Sequence, residues 1–134
     1  MWFSRGAGGL VEGARTNGPQ AATPSVEFIE SLKENQDQQR LALIQTRLER
    51  FSRQGEQSLG RNVRELRDGL WEIKAGDVRL PFFHIDETME SRCDRGTVIR
   101  LTHGFIKRGM RAPEAEINRA RWIWGEDRQS DHVT

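Results

Sequence analysis

Tyrosine is absent from this chain, and cysteine occurs once, as Cys93. One thiol cannot close an internal disulfide, and no CxxC pair or His/Cys cluster offers the spacing of a structural metal site. Any chemistry carried here is therefore expected to be metal-free, to need no cofactor and to move protons without a phenol. Lysine is scarce as well: only Lys33, Lys74 and Lys107 break an otherwise all-arginine set of 21 basic residues. Arginine's planar fork suits bidentate phosphate contact, although genomic base composition produces the same bias. Long apolar runs are also missing, which excludes a membrane span. The opening MWFSRGAGGL lacks both a basic leader and an apolar segment of roughly 7 to 15 residues, so no signal peptide is expected and the cytoplasm is the expected compartment.

What is present fits one domain of 134 residues with 31% charged side chains, a net charge of +1 and a mean hydropathy of −0.74. The balance is uneven along the chain. From Arg95 to Arg111 there are five basic side chains, Arg95, Arg100, Lys107, Arg108 and Arg111, and no carboxylate. A local cationic patch in a nearly neutral protein points to a phosphate-bearing partner.

Residues 1–22 are rich in Gly and Ala and are expected to be flexible, with a candidate first strand at about 10–15. Thr23 before Pro24 is a helix-start signal, the threonine hydroxyl capping free N–H groups, and Val26, Phe28, Ile29 and Leu32 fit one apolar face. Leu41, Ile44, Leu48 and Phe51 recur at amphipathic spacing and predict a second helix that ends before Gly55. From Asn62 the pattern turns to β. Val63 and Leu66 lead to a turn at Asp68 and Gly69, residues 70–74 form a strand, Gly76 marks a second turn, and residues 78–85 follow as a strand. Pro81 lies within that last run, where it requires an edge position or a bulge. Residues 97–104 supply a final strand, and Pro113 opens a helix through Glu114, Ile117 and Ala120 before a polar tail at 126–134.

The order of two helices, the hairpin LRDGLWEI, the turn and strand GDVR, and LTHGFIKR followed by a proline and an acidic helix start resembles the RelE-like toxin superfamily of bacterial toxin–antitoxin systems. Within it, the likeness is specifically to the phage-derived branch often grouped with HigB toxins. The likeness spans about residues 24–120. It implies an α+β fold: a small curved antiparallel sheet of about four strands packed against two N-terminal helices, with a C-terminal helix, the toxin domain covering residues 23–125. It also implies a metal-independent endoribonuclease that cuts mRNA on the ribosome, and a cognate antitoxin, commonly a helix-turn-helix protein. By motif position, Arg64 and Arg67 match basic positions before the GLWEI strand and Arg79 the arginine after the turn. His103, Phe105, Lys107 and Arg108 match the last strand and the loop beyond it. The missing tyrosine is a departure, since many RelE-like enzymes place one at the active face.

Metal-free RNA cleavage needs the ribose 2′-OH deprotonated, charge on the phosphorane offset and the leaving 5′-oxygen protonated. Arg79 and Lys107 are the candidates for offsetting charge, with Arg64, Arg67, Arg108 and Arg111 on flanking phosphates and Phe105 stacking on a base. His103 is the candidate proton-transfer group, its reference pKa of about 6.5 suiting the task. Alternation weighs against it, because Leu101 and His103 share a strand face and that face is apolar. Arg64 and Arg67, three residues apart, reach the same face only across a bulge. Two other readings stay open: a RelE-like binding module without cleavage, favoured by the absent tyrosine, and a ParE-like gyrase inhibitor, disfavoured by the HGFIKR segment.

Overall fold

A computed structural model describes residues 2–85, 97–109 and 113–133. Its strands are β1 Trp2–Gly6, β2 Gly9–Gly13, β3 Val63–Arg67, β4 Leu70–Ala75, β5 Val78–His84, β6 Thr97–Leu101 and β7 Phe105–Ile106. The helices are α1 Pro24–Glu34, α2 Gln38–Gln54 and α3 Glu114–Val133, with a 3-10 helix over Glu56–Asn62. The fold is α+β, and no helix among the described residues is long and apolar enough to cross a membrane.

The sheet is larger than expected and is not purely antiparallel. Its order is β1-β2-β6-β5-β4-β3, with β7 pairing β5. The β2–β6 pair runs parallel, Val11 opposite Ile99, while the others are antiparallel. The N-terminal stretch, expected to be flexible apart from a candidate strand at about 10–15 that overlaps β2, thus contributes a whole hairpin to the sheet, fastened to α2 by Gly8 N–H donating to Ser52 O at 2.7 Å.

Alternation in β4 and β5 sorts side chains onto two faces. Ile73, Ala75, Val78, Leu80 and Phe82 join Ile44, Leu48 and Phe51 of α2 in the main core. The helical spacing read from Leu41 to Phe51 therefore marks the face that covers the sheet. The end of α2 falls at Gly55, as expected, but its start is capped by Asp37, whose Oδ1 accepts from Arg40 N at 3.3 Å. The Thr23 hydroxyl makes no such bond, and only its carbonyl enters the first turn of α1.

The opposite face is covered by α3. Leu70 packs with Ile117 and Ala120, and Phe83 with Ile123, its ring stacked on Trp124 at 5.1 Å. The helix continues through the expected tail, because Asp127 is buried there and accepts from Arg100 Nη1 at 2.8 Å and Arg15 N at 2.9 Å.

Pro81 sits in an interior strand, which overturns the expected edge position. Its carbonyl accepts from Thr102 N at 2.8 Å, so its nitrogen side faces the gap where the chain leaves β6 after Leu101 and rejoins as β7. The ladder bond that proline cannot donate falls at that interruption.

Candidate functional site

On the face that carries α3, cationic side chains gather at one corner of the sheet. Strand pairing brings Arg64 opposite Glu72, Lys74 opposite Arg79, and Arg79 opposite Phe105. Lys107 follows directly after β7, with its backbone N–H donating to Asp77 O at 2.7 Å. The Lys107 ammonium is pushed below the usual lysine range by desolvation and then by the fields of Arg79, Arg64 and Lys74, against a counter-pull from Glu72. The patch is therefore four cations around one carboxylate.

The interior of the patch is well defined. The Glu72 side chain is 0% exposed, and its Oε2 accepts from Arg64 Nε at 2.7 Å and lies 3.8 Å from Arg79 Nε. Arg79, 12% exposed, is held through Nη1, which donates to Gly76 O at 2.7 Å and Val78 O at 3.0 Å. Two buried atoms, Glu72 Oε1 and Arg79 Nε, have no hydrogen-bond partner among the described residues. Preorganised cations of this kind attract a phosphodiester and offset charge that develops on it.

No protein-family model matches the chain, and no curated protein matches it. The chemistry of the corner must therefore be argued from its own residues.

Arg64, Arg79, Lys107 and Phe105 converge on that corner. Arg67 does not turn into it: a register shift between Glu65 and Arg67 re-aims the strand, and Arg67 binds Glu114 at the start of α3, Nη2 to Oε1 at 2.5 Å. The bulge required by the three-residue spacing is present, but it serves the α3 contact. Hydrogen bonding to Glu114 raises the Arg67 pKa and lowers that of Glu114. Arg108 is exposed at the edge of the patch, and Arg111 lies outside the described residues, as do Arg95 and Cys93.

His103 is buried, 1% exposed, and stacks on Phe105 at 5.7 Å, while its Nδ1 lies 3.1 Å from Thr102 Oγ1. Its Nε2 is 3.5 Å from Glu116 Oε2 and has no hydrogen-bond partner among the described residues. Burial first, and Arg119 second, push its pKa down to about 4. A group that is neutral and enclosed near pH 7 neither touches substrate nor supplies a proton in this conformation. Phe105 is buried, 9% exposed, with its ring stacked on His103, so its expected base-stacking face is occupied in this conformation.

The His103 shift has a stability consequence. The folded-state pKa lies below the unfolded value of about 6.5, so the unfolded chain takes up the extra proton first as pH falls. Stability is fully present above about pH 6.5 and is lost on the way down to about 4, a loss of about 3 kcal/mol. Urea unfolding at neutral and acidic pH is expected to show this slope in the native chain and a shallower one in His103→Gln. Equal slopes would mean that His103 is not enclosed in this way.

Glu72 was not legible as a site residue. Between Trp71 and Ile73 it has the pattern of an ordinary outward position, whereas it is fully buried with Arg64 and Arg79 against its Oε2.

Proposed function

We propose that this chain is a RelE-like toxin of the mRNA-cleaving kind, an endoribonuclease that acts on messages in the ribosome and is held in check by an antitoxin. The observation that carries the reading is the sheet corner where Arg64 and Arg79 lie against the buried Glu72 carboxylate with Lys74 and Lys107 beside them. Such a corner fits the backbone of a single RNA strand, with Arg79 and Lys107 aimed at the scissile phosphate and Arg64 and Arg108 at its neighbours. The α1–α2 hairpin on one sheet face and the β3–β4–β5 meander are the parts shared with a RelE-like arrangement, whereas the seven-stranded mixed sheet departs from its four antiparallel strands. Action on ribosomes places the chain in the cytoplasm.

A second reading has one specific observation behind it. With no tyrosine in the chain and His103 enclosed, the corner lacks a conventional base, which favours a module that binds RNA or antitoxin without cutting.

Induced expression distinguishes the two. The nuclease reading expects growth arrest with discrete new 5′ ends inside translated codons. Arrest with intact mRNA would overturn it, and arrest accompanied by gyrase inhibition would favour the ParE-like branch.

A further inference from the structure

A carboxylate is rarely fully buried unless paired, and a buried ion pair is a poor source of stability, since apolar residues of equal volume do as well or better. Glu72 is 0% exposed on a sheet face where Leu70 and Phe83 show that apolar side chains are accommodated. Its placement is better explained by what it holds. Oε2 accepts from Arg64 Nε at 2.7 Å, leaving the terminal nitrogens of Arg64 for a ligand. The contact with Arg79 is incomplete: the Oε2 to Nε separation is 3.8 Å, and both Glu72 Oε1 and Arg79 Nε are buried without a partner. Arg79 is meanwhile tied through Nη1 to the carbonyls of Gly76 and Val78, which fixes its head close to, but short of, the carboxylate.

We propose that Glu72 is a positioning residue for the phosphodiester of an RNA strand: it holds Arg64 in place beforehand and completes a hydrogen bond to Arg79 Nε when the strand binds. The assignment rests on the RNA-cleaving reading above. A small shift of the Arg79 head converts two unsatisfied buried atoms into one charge-assisted bond, so RNA binding and arginine alignment reinforce each other. Glu72 acts through the arginines and does not touch the reacting atoms.

The test reads arginine Nε–H exchange by NMR beside cleavage kinetics, with a 2′-O-methyl RNA oligonucleotide as the uncleavable probe. In the wild type, the Arg64 Nε–H is expected to be protected in the free protein, and the Arg79 Nε–H to become protected by at least about tenfold on adding the probe. Glu72→Gln is expected to bring Arg64 exchange up by a similar factor and to lower kcat about 100-fold while KM stays within about threefold. Wild-type kcat in Glu72→Gln, or an Arg79 Nε–H unchanged by bound probe, overturns the proposal. If the wild type binds the probe but cleaves no mRNA on programmed ribosomes, the nuclease reading fails while the exchange measurement still decides the positioning role. Absence of probe binding overturns the positioning proposal and leaves the nuclease reading to the cleavage assay on ribosomes. The wild-type exchange experiment needs no variant, so a Glu72→Gln chain that does not fold leaves the decision intact.

Discussion

Arg79→Ala is expected to abolish growth arrest and to lower RNA cleavage by about 100- to 1,000-fold, the usual cost of removing one preorganised group that faces developing charge. Lys107→Ala is expected to fall in the same range, and the double variant to lose much less than the product of the two, because both act on one phosphate. Arg79→Lys should not rescue. The guanidinium uses Nη1 on two backbone carbonyls while its Nε faces Glu72, a division of donors that an ammonium cannot reproduce. Thermal unfolding checks that the losses are chemical, since Lys107 lies beyond the last strand and Arg79 is outside the apolar clusters. Full toxicity in both single variants would move the site elsewhere.

The parts of this arrangement that are legible in the sequence are those set by neighbours in the chain. Asp68 and Gly69 adopt φ values of 47° and 88°, the conformation that an Asp-Gly hairpin turn demands, and Gly76 turns β4 into β5 with φ 65°. Arg79 stands out because Val78, Leu80 and Phe82 alternate against it, and all three are buried on the other face. The parallel pairing of β2 with β6 has no local signature: it joins Leu10 to Val98 across most of the chain, and five glycines in residues 6–18 read as loop. His103 shows where the alternation rule stops. The strand ends at Leu101, and face parity lapses over Thr102–Gly104. Gly104 then passes so close to Phe28 that an added Cβ would lie 2.3 Å from the ring. The Phe105 stack, Thr102 Oγ1 and Glu116 of α3 lie against the imidazole, and none of them can be read from spacing. The end of α3 escaped notice for a related reason. Its polar composition resembles a tail, and the tie that makes it helix and cover is a buried ion pair between Asp127 and Arg100.

Phe51→Ala is expected to lower unfolding free energy by about 3–5 kcal/mol, a large part of the roughly 5–15 kcal/mol available to a domain. Phe51 is 0% exposed and closes the main core from the last turns of α2. Its ring also presses on β2 so closely that a Cβ on Gly9 would lie 2.7 Å from Cε1. Alanine there leaves a void between helix and sheet that neither can fill. Each is held by other ties, among them the Gly8 to Ser52 backbone bond and Arg47 Nε donating to Lys74 O at 3.1 Å. Urea unfolding should show a lower midpoint with an unchanged slope, and a loss below about 1 kcal/mol would mean that the helix does not pack as described. Any variant that loosens α2 also removes the backing of β4 and β5, the strands that carry Glu72 and Arg79 on their opposite face. Phe51→Ala is therefore expected to weaken RNA cleavage at temperatures where the fold is still populated, because the arginine geometry depends on a sheet held rigid from behind.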